Sequence, residues 1–206
     1  MLKFGKEPLA RPVLTQIAAR VANKSKATIK LQMLPQASVI IPLLNINERA
    51  NILFEVRSRA LRRHAGEISF PGGYREPGES AWETARREVA EELNWKVSEN
   101  SELGAAGLWH NRKSNVAVTP FIVFDEHLQI ENVTINRAEV QYCIKVCLDE
   151  LVLLGDNKKK YRKLHEEWPP VPFFHIDERH TIWGFTGFLL DALLTEIKQI
   201  IKPNVD

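Results

Sequence analysis

Between positions 80 and 94, Trp82, Ala85, Val89 and Leu93 recur at helical spacing, and Glu88, Glu91 and Glu92 lie beside them. With Val89 at zero and about 100° per residue, the apolar stripe stays within about 40° of zero. The three acids fall at roughly −100°, −160° and −60° on the same wheel. The pattern predicts a helix that buries one side and carries three carboxylates along its flank. Ser80 and Glu83 form a capping box at its start, and Asn94, which tolerates a positive φ, stands at its end.

Other stretches read as strands. Residues 37–44 (ASVIIPLL) and 51–57 (NILFEVR) flank a polar turn, and 104–110, 116–124, 139–146 and 172–176 supply four further candidates. Positions 59–79 read as a loop, punctuated by Gly66, Pro71, Gly72, Gly73, Pro77 and Gly78. A short helix is predicted over 148–154, then a loop rich in lysine and proline, then a long amphipathic helix from Thr181 to its stop at Pro203. Strands with helices before, between and after them predict an α/β sandwich, a sheet covered on both faces.

Composition narrows the function classes. With 206 residues, 44% hydrophobic and 26% charged, the chain suits one globular domain with extensions. A net charge of +2 makes no electrostatic case for nucleic acid. No run approaches the roughly 20 apolar residues that cross a bilayer. Cys143 and Cys147 have no second pair to complete a zinc site and read as buried small hydrophobes in a reducing, intracellular compartment. Up to residue 47, Lys3, Lys6, Arg11, Arg20, Lys24, Lys26 and Lys30 face one acid, Glu7. Residues 1–34 are therefore either a basic leader of mitochondrial type or an N-terminal helix of the fold starting near Pro12. The ending Asn204-Val205-Asp206 is not a peroxisomal Ser-Lys-Leu address.

Three carboxylates on one flank repel one another unless a positive group lies between them, and a hard divalent cation suits oxygen ligands. Gly73, Glu79 and the run Arg87-Glu88-Val89-Ala90-Glu91-Glu92 closely resemble the Nudix box; its final glycine is Asn94 here, and Trp95 replaces an aliphatic residue. The resemblance implies a Nudix-type α/β/α sandwich with a mixed sheet over residues 35–202, hydrolysing a nucleoside diphosphate linked to another group. It also implies Mg²⁺ or Mn²⁺ held by Glu88, Glu91, Glu92 and the Gly72 carbonyl, with Arg87 orienting a carboxylate of the helix and Glu79 outside the metal cluster.

Upstream, Arg57-Ser58, Arg62, Gly66 and Phe70-Pro71-Gly72-Gly73 resemble the signature of coenzyme A pyrophosphatases, except that Glu55 stands where threonine is usual. That branch implies coenzyme A or an acyl derivative as substrate, contacted by Arg57, Arg62, Gly66, Phe70 and Gly73. Arginine forks suit phosphates, although the same arginines can instead pair with the acids of the box. Asn136-Arg137-Ala138-Glu139 resembles a segment with a further glutamate near the metals, so Glu139 is a candidate base or ligand. ADP-ribose, NADH or a capped RNA end are the rival substrates, and a non-catalytic nucleotide-binding module is the rival class. Oligomeric state does not follow from these residues.

Overall fold

The computed structural model describes residues 2–4, 7–25, 28–125, 128, 130–154 and 158–201. Strands β1 (Leu2–Phe4) and β2 (Glu7–Leu9) pair ahead of helix α1 (Arg11–Lys24) and the single turn α2 (Ile29–Gln32). The hairpin β3 (Gln36–Ile46) and β4 (Arg49–Arg57) follows, its turn made by Asn47 and Glu48, both at positive φ. Two short strands, β5 (Ile68–Ser69) and β6 (Gly72–Tyr74), lead into α3 (Ala81–Leu93). Then come β7 (Glu102–Ala105), β8 (Trp109–Asn111), β9 (Val116–Phe124), β10 (Val140–Cys147) and α4 (Leu148–Val152). A second small sheet of β11 (Lys159–Arg162), β12 (Val171–His175) and β13 (Thr181–Ile182) precedes α5 (Gly184–Ile201).

The main sheet is mixed. β3 runs parallel to β9, while its other edge is shared by β6 over Ala37–Val39 and by β4 over Leu43–Ile46, both antiparallel. Two strands on one edge leave a split, and the Gly72 turn sits beside it. Alternation along the strands sorts side chains between two cores. Ile40, Leu44, Leu53, Phe121 and Val123 face α3, packing on Ala85, Val89 and Leu93. Ile41, Leu43, Ile52, Phe54 and Ile122 face α1 and α5, packing on Leu14, Ile17, Leu190 and Leu193. The α/β/α sandwich predicted for the chain is the fold observed.

Several boundaries move. The stretch 59–79 is not all loop, because β5 pairs with β4 and β6 with β3. The predicted strand over 104–110 is broken at Gly107, whose φ of 87° turns the chain where Ser25 at the end of α1 comes close. The last helix begins at Gly184 and not at Thr181, since Thr181 and Ile182 pair with β12. Part of the lysine-rich loop is β11, where Lys159 turns inward to pair with Asp191 at 2.5 Å. Cys147 is buried but Cys143 only half-buried, and both are free thiols.

Helix α1 buries Leu14, Ile17, Ala18 and Val21 against the sheet. Its Lys24 pairs at 2.9 Å with Glu196 of α5, a residue only 4% exposed, and Arg20 lies 3.9 Å from the same carboxylate. Some of the N-terminal basic excess thus answers an acid far along the chain. The C-terminal tripeptide and Pro203 lie outside the described residues.

Candidate active site

Helix α3 forms where its signals place it. The Ser80 Oγ accepts from the Glu83 N–H at 3.2 Å, and the Glu83 carboxylate accepts from the Ser80 N–H at 2.7 Å. Asn94 closes the helix at φ 50°, ψ 29°, its N–H donating to the Ala90 carbonyl at 3.0 Å. Asn therefore does what glycine does at this position in the Nudix box. Trp95 behind it is buried, with its indole N–H on Asp125 at 3.1 Å.

Burial of the three acids follows their wheel angles. Glu92, nearest the apolar stripe, is 2% exposed; the Glu88 side chain is 15% exposed and that of Glu91, farthest round, 52%. Glu92 accepts a 2.8 Å hydrogen bond from the Gly72 N–H. Gly73 lies against Glu88 so closely that a Cβ there would stand 2.5–2.6 Å from the carboxyl group. The glycine turn and the acidic flank are therefore in direct contact. Gly72 itself has φ 141°, and a Cβ would run into the backbone of Ser38 and Val39.

Arg87 organises the outer acids. Its Nε donates to Glu79 at 2.7 Å, Nη1 to Glu88 at 3.0 Å and to Glu91 at 3.1 Å, and Nη2 to the Tyr74 carbonyl at 3.0 Å. The Arg87 guanidinium and the Glu76 N–H hold the Glu79 carboxyl down at about 2. The inner acids behave oppositely. Burial raises Glu88, with Arg87 pulling the other way. Glu92 is raised by burial first and then by repulsion from Glu55 and Glu88.

The upstream loop closes on itself beside this cluster. The Arg57 N–H donates to the Glu67 carbonyl and the Gly66 N–H to the Arg57 carbonyl, both at 3.0 Å, with Gly66 at φ 73°. The Ser58 N–H donates to the Glu139 carbonyl at 2.7 Å, which brings Glu139 to the same end of β4. The Glu139 carboxyl accepts from Asn136 Nδ2 at 3.1 Å, and its charge reaches both Glu55 and Glu88. Arg62 is exposed, without an ion-pair partner among the described residues. Phe70 is the exception: it is 3% exposed and stacks on Phe54 at 4.9 Å, so it anchors the loop in the core and presents no face to a substrate.

Glu55 stands where the signature usually has threonine, and the structure sets it among the acids of the site. It is fully buried on the α3 side of β4, its Oε1 taking the Ser69 hydroxyl at 2.9 Å and lying 3.6 Å from Arg57. A charged residue inside the apolar run of β4 was the available signal, because a buried carboxylate needs a partner. Among the described residues no three His, Cys, Asp or Glu side chains already close on a single ion position. With Arg87 holding Glu88 and Glu91, the acids rest on that guanidinium. The donor set still fits a hard cation: it is all oxygen, it is crowded, and one buried carboxylate oxygen, Glu55 Oε2, receives no N–H or hydroxyl while the Glu92 carboxyl lies beside it.

A mixed sheet sandwiched by helices, with a glycine turn set against an acidic helix, defines a phosphoanhydride hydrolase of the Nudix type. Residues 34–170 match the NUDIX domain, and the chain belongs to that family. It is 32% identical over 185 residues to Nudix hydrolase 3 of Caenorhabditis elegans, covering 82% of this chain and 74% of that protein. It is 41% identical over 176 residues to the peroxisomal coenzyme A diphosphatase ndx-8 of the same organism, covering 82% and 72%. The solved MutT protein from Methanosarcina mazei Go1 shares the fold with a TM-score of 0.52 at 18% identity, over 82% of this chain and 99% of that one. No helix among the described residues is long and apolar enough to cross a membrane.

Proposed function

We propose that the chain hydrolyses the diphosphate of coenzyme A or an acyl-coenzyme A, releasing 3′,5′-ADP and (acyl-)4′-phosphopantetheine. The observation that carries this reading is the closed Arg57–Glu67 loop, which sets Arg57 and the Gly72 turn against the acidic helix. Its residues resemble the coenzyme A pyrophosphatase signature apart from Glu55, and a relative at 41% identity bears that activity in its name. Glu88, Glu91, Glu92 and the Gly72 carbonyl would hold Mg²⁺ or Mn²⁺. Such an ion, when bound, neutralises phosphoryl charge and lowers the pKa of a bound water.

The chain's own residues do the rest. Arg57 and the exposed Arg62 supply forked donors for phosphate oxygens, including the 3′-phosphate. Arg87 keeps Glu88 and Glu91 in place while they carry no other cation. Glu139, with Oε1 committed to Asn136, takes the proton of the attacking water on Oε2. The two free thiols suit a reducing compartment.

Product analysis after incubation with coenzyme A and with dephospho-coenzyme A tests the assignment. Faster cleavage of coenzyme A to 3′,5′-ADP is expected, and Arg62→Ala should narrow the gap between the two substrates. Glu92→Gln should remove most turnover in a folded protein. Equal rates on both substrates, or faster turnover of ADP-ribose or NADH, would reject coenzyme A as the substrate.

A further inference from the structure

We propose that Glu55 is a ligand of the metal centre, a carboxylate that the sheet supplies from beneath the acidic helix. The inference rests on the reading above that the site holds a divalent cation. Along β4, Leu53 and Glu55 point to the same face, and Leu53 packs in the core with Val89 and Leu93 of α3. Glu55 therefore lies on the helix side of the sheet, where it meets the Glu92 carboxyl. Its cross-strand neighbours are Ser69 on β5 and Cys143 on β10.

The two oxygens of Glu55 are treated differently. Oε1 is fixed by the Ser69 hydroxyl and flanked by Arg57, so the carboxylate cannot swing away. Oε2 is buried and receives no N–H or hydroxyl, and the Glu92 carboxyl lies within hydrogen-bonding reach of the Glu55 carboxyl. On the other side, Glu92 has given one oxygen to the Gly72 N–H. Two buried carboxylates thus meet with Arg57 as the cation beside them, and two buried acids crowd together only where a proton or a cation lies between them. Threonine, the residue usual at this position in the signature, would bring neither the charge nor the reach. Glu55 lies outside the Nudix box.

Direct titration with Mn²⁺, reading free ion by electron paramagnetic resonance without substrate, tests the assignment on the wild type, Glu55→Gln, Glu55→Thr and Glu92→Gln. Melting of each cation-free protein is recorded in parallel. Both Glu55 variants, like Glu92→Gln, should bind Mn²⁺ about 10- to 100-fold more weakly, while melting no lower than the wild type. If the Glu55 variants keep wild-type Mn²⁺ affinity and only melt higher, Glu55 and Glu92 merely share a proton and the proposal is overturned. A wild type that binds no Mn²⁺ overturns the metal reading of the whole site. Weakened binding in Glu92→Gln alone overturns only the role of Glu55.

Discussion

Alanine at Gly72 and at Gly73 should have opposite consequences, although the two glycines are adjacent. At Gly72 the backbone has φ 141°, and a Cβ would meet the Ser38 carbonyl oxygen and stand 2.6 Å from Val39 Cα. Neither obstacle is a flexible side-chain end, because β6 pairs with β3 at this point. Strain at such a dihedral costs about 1–3 kcal/mol and overpacking about as much again, giving about 2–6 kcal/mol. For a chain of this size that lowers Tm by roughly 5–20 °C. At Gly73 the backbone is ordinary, and the obstacle is the Glu88 carboxyl at 2.5–2.6 Å, which can rotate away. The change in stability should stay within about 1 kcal/mol, since alanine also restricts the unfolded chain. Displacing Glu88 should instead weaken Mn²⁺ binding about 10-fold or more. Thermal melts and Mn²⁺ titrations on both variants read the two effects separately. The reasoning fails if Gly73→Ala melts as low as Gly72→Ala, or if it binds Mn²⁺ unchanged.

Phe70→Leu should cost about 1–2 kcal/mol through the lost ring stack on Phe54, measured by urea unfolding, with KM unchanged. A raised KM at unaltered stability would return Phe70 to the substrate face. Stability should also depend on pH. Glu55, Glu88 and Glu92 all hold protons more tightly in the folded chain than the ordinary carboxylate value of 4.5, chiefly through burial. Raised groups add stability below that value and lose it as pH rises through their folded values. Glu79, held down at about 2, has finished titrating below this window. The cation-free protein should therefore melt higher near pH ~5.5 than near pH ~8, with Mn²⁺ closing the gap. Identical melting at both values without metal would contradict the crowding of these acids.

Much of α3 was legible because its determinants are local. Ser80 and Asn94 bound it through hydrogen bonds within a few residues, and the depth of each acid follows from its angle to the stripe of Ala85, Val89 and Leu93. The glycine loop was less legible, since β5 and β6 are too short to show alternation and exist only through their partners β4 and β3. Gly107 looked like an interior strand residue because its reason for bending, Ser25, belongs to another element. Phe70 sits in a motif whose neighbours touch the site, and only the three-dimensional structure shows its ring turned to Phe54. Glu55 lies in an apolar run, and its counterpart Glu92 is on a helix that the sequence does not set beside it.

The acids of the site divide by what neutralises them. Glu79, Glu88 and Glu91 share one guanidinium, that of Arg87, and Glu79 titrates low for that reason. Glu92 and Glu55 lie on the buried side with a backbone N–H, a hydroxyl and Arg57; burial raises both, repulsion from Glu55 raises Glu92 further, and the hydrogen bond with Glu92 pulls Glu55 back down. An added cation gains least where a guanidinium already bridges carboxylates and most where two face each other buried. The deep end of the flank, under Glu92 and next to the Gly72 turn, is therefore where a divalent ion would relieve the most crowding of buried carboxylates. An ion there would stand beside the turn where backbone and arginine donors face a phosphate, and a fold built on packing of Val89 and Leu93 would in that way hold metal and substrate together.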